Sequence, residues 1–93
     1  MKSLSSISIG KTKLKNRICI APMCQYSAKD GNPTKWHYTH LTKLMEAGAG
    51  MLILESTAVS KKGMISLNDL SLINKKNFLK LNKLFKYLKT ISN

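Results

Sequence analysis

Two four-residue apolar runs, Ile18-Cys19-Ile20-Ala21 and Met51-Leu52-Ile53-Leu54, constrain this chain more than any other feature. Short continuous apolar runs are the pattern of strands buried on both faces in a parallel sheet, and parallel neighbours need a crossover between them. The intervening sequence supplies one. Ser27 to Pro33 is dense in turn formers around Asp30-Gly31-Asn32-Pro33, and Thr34 is a good N-cap for a helix running to about Ala47, with Gly48 as its stop. Trp36, His40, Leu44 and Ala47 fall on one predicted stripe, with Leu41 and Met45 beside it, as for a helix laid on a sheet. The expected class is therefore α/β, built from βα units.

Elements on either side extend this reading. Ile7 to Leu14 alternates around Gly10-Lys11, which predicts a hairpin before the first run. Lys75 to Ile91 is amphipathic, with Phe78, Leu81, Leu84, Phe85, Leu88 and Ile91 forming a wide predicted apolar face. Lys80, Lys83 and Lys86 line another side, read as a solvated face. Pro22 ends the first run by removing a ladder N–H, so Met23, Cys24 and Tyr26 are delivered at the carboxyl end of a strand. Barrels and doubly wound folds both place their ligands there.

Composition narrows the functional classes. The net charge of +12 raises an electrostatic nucleic-acid binder, yet Arg17 is the sole arginine among the 16 basic residues. Bidentate phosphate and base recognition favours arginine, so nucleic acid is not the expected partner. No window approaches the roughly 18 apolar residues of a membrane span, and Met1 to Ser8 lacks the apolar core of a signal peptide, so a cytoplasmic protein with reduced cysteines is expected. Cys19, Cys24, His37 and His40 have the spacing C-x4-C-x12-H-x2-H, one residue short of a zinc finger. Ala28 and Thr34 stand where such a finger needs its apolar core, so no metal site is expected. His37 and His40 are read as structural, satisfied by helix or loop carbonyls. Glu55, one of four acids, ends the second run and is read as a structural hydrogen-bonding group rather than a base.

Three blocks in order, K-N-R-I-C-I-A-P-M-C-Q-Y-S from Lys15, W-H-Y-T-H from Trp36 and E-S-T-A-V-S-K-K-G-M-I-S from Glu55, resemble the start of an old yellow enzyme. Cys24 with Tyr26 is similar to the bacterial ene-reductase branch that carries a cysteine beside the flavin. The resemblance runs from about Leu4 to Leu72. It implies the N-terminal hairpin and first two βα units of a (β/α)8 barrel, residues 1–93 forming an N-terminal portion of one FMN-binding domain. Such barrels take about 250 residues, so the chain by itself is expected to be incomplete and inactive.

The activity implied is hydride transfer from NAD(P)H through FMN to an activated alkene, a small-molecule substrate. By the same resemblance Ala21, Pro22, Met23, Cys24 and Ala58 would line the flavin. Cys24 would tune its potential through a weak S–H donor, and Tyr26 would hydrogen-bond the substrate oxygen from the same face of an extended segment. The loop from Glu55 to Val59 would lie beside that from Pro22 to Tyr26. A polypeptide supplying the remaining strands is the implied partner. A barrel-completing subunit, a degenerate fragment and a small basic nucleic-acid-binding module stay open as alternatives.

Overall fold

A computed structural model describes residues 2–91; Met1, Ser92 and Asn93, the ends of the expected 1–93 domain, lie outside the described residues. The hairpin forms from β1 (Ile7–Ile9) and β2 (Thr12–Leu14), antiparallel with Ile9 opposite Thr12. Gly10 takes a φ of +59° at the first turn position, which glycine adopts without a Cβ penalty. Asn16 then joins the hairpin exit to the main body. Its Nδ2 donates to Gly48 O at 2.8 Å, and its Oδ1 accepts the Ile18 N–H at 3.0 Å.

The two apolar runs become β3 (Cys19–Ile20) and β4 (Met51–Leu52), paired in parallel with Cys19 opposite Met51. Helix α1 (Lys35–Glu46) makes the crossover, with Thr34 as N-cap and Ala47 as C-cap before Gly48 at φ +95°. The expectation of strands buried on both faces is corrected, because Ile18 and Ile53 are exposed and Cys19 is solvent-facing. Period-2 alternation explains this: Leu52 and Leu54 pack on the helices, while the intervening Ile53 points the other way and is 43% exposed.

A second parallel pair, β5 (Thr57–Ala58) with β6 (Leu70–Ser71), was not apparent from the sequence. Two-residue strands separated by the Lys61–Gly63 turn of 3-10 helix carry too little alternation to register as strands. Asp69 organises the approach to β6, accepting the Ile65 N–H at 2.7 Å, the Ser66 N–H at 3.1 Å and the Ser66 hydroxyl at 2.8 Å. Ser66 in particular holds that carboxyl below its ordinary value.

Helix α2 (Lys75–Lys89) starts on Asn74, whose side chain accepts the Asn77 N–H. Leu81, Leu84 and Leu88 of α2 and Leu41 of α1 form the buried core, with Tyr38, Leu44, Met45, Leu52, Leu54 and Ile91 packed against it. The broad face expected from Phe78 to Ile91 is therefore narrower. Phe78 and Phe85 are exposed, and the stripe is completed at its N-terminal end by Asn77, which is 1% exposed. On α1 the stripe likewise shifts from Trp36 to His37 and Leu41. Trp36 stays half exposed, stacked on His40 with ring centroids 5.5 Å apart.

Candidate functional site

The segment from Ala21 to Tyr26 leaves the carboxyl end of β3 as an irregular strap. Ala21, Pro22 and Met23 are exposed and Cys24 is half-buried. Met23 keeps 59% of its surface exposed. Gln25 Nε2 donates to Met23 O at 2.9 Å and Ser27 Oγ to Gln25 O at 2.9 Å, so the strap folds partly on itself. The Gln25 N–H donates to Glu55 Oε2 at 3.4 Å, which places the strap beside the residue that follows the β4 run, as expected. Ala58 is not in a loop. It lies in β5, 8% exposed, with its carbonyl accepting the Leu72 N–H at 2.7 Å.

Tyr26 departs from the extended reading. Its φ is +51°, the left-handed region, so simple alternation with Cys24 does not describe where its side chain leaves the backbone. For a non-glycine residue this conformation costs about 1–2 kcal/mol and persists when neighbours over-determine it. The residue as a whole is 53% exposed.

Glu55 and His37 form the buried polar centre next to this strap. His37 is fully buried and Glu55 is 7% exposed. His37 Nε2 lies 3.2 Å from Glu55 Oε1 with its N–H not aimed squarely at the oxygen, a close electrostatic contact more than a directed bond. The Thr34 N–H donates to His37 Nδ1 at 3.0 Å. This is the reciprocal half of a capping box, with histidine in the position usually held by Glu or Gln. The Thr34 hydroxyl donates to Ser27 O at 2.9 Å. The partners of His37 are thus an N-cap amide and a carboxylate, not the carbonyls expected. Sequence reasoning expected Glu55 to make a hydrogen bond, and its carboxylate accepts the Gln25 N–H and meets His37 Nε2. What that reasoning missed was that both contacts converge on the strap, since no local pattern links residues 25, 37 and 55.

Burial holds the His37 imidazole below its ordinary value despite the opposing pull of Glu55. The unfolded chain then binds the proton more readily, so acidification through the ordinary histidine range near pH 6.5 favours unfolding. Stability measured by urea titration is expected to fall between about pH 7 and pH 5, and His37→Gln to flatten that slope. An unchanged slope in the variant would assign the titration elsewhere.

Among the described residues no three His, Cys, Asp or Glu side chains gather as a metal cluster. Cys19 is exposed on β3 and His37 faces Glu55, so the zinc-like spacing does not converge. No helix among the described residues is long and apolar enough to cross a membrane.

The model of the NADH:flavin oxidoreductase / NADH oxidase family matches residues 4–91. The chain is 44% identical over 71 residues to an NADH:flavin oxidoreductase of Gibberella zeae, covering 76% of this chain and 17% of that protein. It is 42% identical over 85 residues to an NADPH dehydrogenase of Listeria monocytogenes, covering 89% of this chain and 25% of that one. The chain thus spans a quarter or less of the length of these relatives. Among solved structures, the Old Yellow Enzyme from a Pichia species superposes with a TM-score of 0.89 at 18% identity over 99% of this chain and 24% of its own. Morphinone reductase superposes at 0.85 with 17% identity over 96% and 23%. These likenesses establish the fold as an N-terminal portion of an old-yellow-enzyme barrel.

The strap also suits the cofactor that this family implies, FMN with NAD(P)H as electron donor. An apolar, exposed Ala21–Met23 segment at a parallel strand end offers a surface for a flat ring, with the Cys24 thiol beside it. A match over residues 4–91, together with relatives above 40% identity, shows that the chain belongs to the NADH:flavin oxidoreductase / NADH oxidase family.

Proposed function

We propose that this chain builds the strap wall of an ene-reductase site, in which hydride from NAD(P)H reaches an activated alkene by way of FMN. The observation that carries the reading is the exposed apolar strap at the end of β3, inside the family match. Bound FMN would supply the two-electron relay. Ala21, Pro22 and Met23 would hold and orient the ring by apolar contact. Cys24, half-buried, would present a weak S–H donor and a polarizable sulfur to the ring edge. Ala58, small and 8% exposed in β5, would meet the ring through the little surface it keeps. Tyr26 would donate its phenolic proton to a carbonyl or nitro oxygen while staying neutral near pH 7.

Because the chain spans 17% and 25% of these curated relatives' lengths, the strap wall is the part of the reaction assigned to it. This reading requires further barrel strands to complete the site, and a polypeptide that carries them is the proposed partner. Support for a covering partner comes from an open apolar cavity of about 850 Å³ lined by Leu44, Leu52, Leu54, Phe85, Leu88 and Ile91.

The test uses the flavin-loaded enzyme, with redox titration and stopped-flow of each half-reaction. Cys24→Ala should move the flavin midpoint potential and leave substrate affinity nearly unchanged. Tyr26→Phe should slow the oxidative half-reaction roughly 2- to 10-fold, equivalent to the roughly 0.5–1.5 kcal/mol of one neutral hydrogen bond. Flavin reduction by nicotinamide should be spared. A Tyr26→Phe variant slowed only in flavin reduction, or an unchanged potential in Cys24→Ala, would remove these roles.

A further inference from the structure

Tyr26 sits between two residues that are each tied to other elements, and both ties lead back to one side chain. On one side, the Gln25 N–H donates to Glu55, and Glu55 lies against His37 Nε2. On the other, Ser27 O accepts the Thr34 hydroxyl, and the Thr34 N–H donates to His37 Nδ1. The circuit Gln25–Glu55–His37–Thr34–Ser27 therefore closes around a tyrosine held at φ +51°. Among the described residues no other bond ties Gln25 or Tyr26 to a separate element.

We propose that the buried His37–Glu55 pair is a positioning device for Tyr26, clamping the residues on both sides of it so that the left-handed backbone is retained and the phenol keeps one aim. The physical reasoning starts from the strain. Left-handed tyrosine relaxes to ordinary backbone unless its flanks are fixed; Ala28, 2% exposed with its N–H on Asn68 O at 2.9 Å, anchors the chain two residues on, and the ties at Gln25 and Ser27 fix the residues next to Tyr26. His37 can serve both flanks at once because its two ring nitrogens do different work. Nδ1 accepts an N–H and so carries no proton, which leaves the proton on Nε2 facing the carboxylate. His37 and Glu55 touch neither ligand nor reacting atom, so both are positioning residues. His40, the neighbouring titratable group on α1, stacks on Trp36 and is not part of the circuit.

That Tyr26 meets a substrate rests on the function proposed above; the clamp itself does not, and the test needs no flavin. The 93-residue chain is labelled with 3-fluorotyrosine, giving three resonances from Tyr26, Tyr38 and Tyr87 that Tyr26→Phe assigns. Tyr38 and Tyr87 pack on each other with ring centroids 5.2 Å apart and serve as internal references. His37→Gln keeps the helix cap, since Gln at this position completes a capping box, and cuts the link to Glu55. Glu55→Ala cuts the same link from the other side.

In each variant that retains its helical circular dichroism, the Tyr26 resonance should move at least halfway to its urea-unfolded position while the references stay. A Tyr26 resonance unmoved in a helical variant overturns the clamp. Should both variants lose their helices, nitrogen shifts of the wild-type imidazole at pH 8 decide. A proton on Nε2 alone supports the clamp, and a proton on Nδ1 refutes it. If the clamp holds while Tyr26→Phe leaves the oxidative half-reaction unaffected, the geometry stands and the substrate role falls.

Discussion

Asn77→Ala is expected to be the most destabilising polar-to-alanine change in the protein, at about 3–4 kcal/mol if each lost hydrogen bond is worth about 1. The side chain is 1% exposed and fully used. Its Oδ1 accepts the Ser71 hydroxyl at 2.9 Å and the Ile73 N–H at 3.2 Å, while its Nδ2 donates to Asn32 Oδ1 at 2.7 Å and Asp30 O at 3.2 Å. Truncation strands partners from three segments: the turn before α1, β6 and the approach to α2. The Ser71 hydroxyl bond is buried outright, and unmade buried bonds cost more than the net gain of making them. Urea titration by circular dichroism measures this. Asn82→Ala, on the same helix but without such partners, should stay within about 0.5 kcal/mol of wild type. An Asn77→Ala midpoint close to that of Asn82→Ala would refute the hub.

Gly31→Ala should cost about 2–5 kcal/mol, adding a left-handed backbone penalty of about 1–2 to an overpacking term of about 1–3. Gly31 takes a φ of +78°, and a Cβ built there would collide with the Ser71 hydroxyl, touch Ser71 Cβ at 3.0 Å and press on Asn77 Nδ2 at 3.1 Å. Ser71 cannot simply retreat. Its N–H donates to Gly31 O at 2.9 Å, so the two backbones are held together at the point of collision. The two substitutions share the same partners and should be less than additive when combined, a coupling that a double-mutant cycle reads directly. Strict additivity would place Gly31 and Asn77 in independent sites.

The place of the strap was legible. Pro22 after an apolar run marks a strand end, so the segment from Ala21 to Tyr26 leaving the end of β3 stood out from the sequence itself. The conformation of Tyr26 did not. Tyrosine has no intrinsic preference for positive φ, and the reason it is retained lies in residues 34, 37 and 55, which reach it only through space. Ala58 was placed near the site by its position after β4, yet its burial in β5 follows from pairing with Ser71, a partner no local window contains.

Local physics settled what is repeated or punctuated along the chain. The hairpin turn at Gly10, the start of α1 after Thr34, its stop before Gly48 and the paired apolar runs all depend on one residue's backbone freedom or on short-range periodicity. Tertiary structure decided which side of each periodic element is buried. Trp36, Phe78 and Phe85 are large apolar rings that stay partly exposed, whereas His37 and Asn77 join Leu41, Leu81, Leu84 and Leu88 in the buried stripes, because a hydrogen-bonded polar group in the right place is retained where a large ring has no facing surface. Periodicity fixes a helix's spacing but leaves its rotation to whatever it packs against, and here that rotation is what brings His37 to Glu55 and closes the circuit around Tyr26.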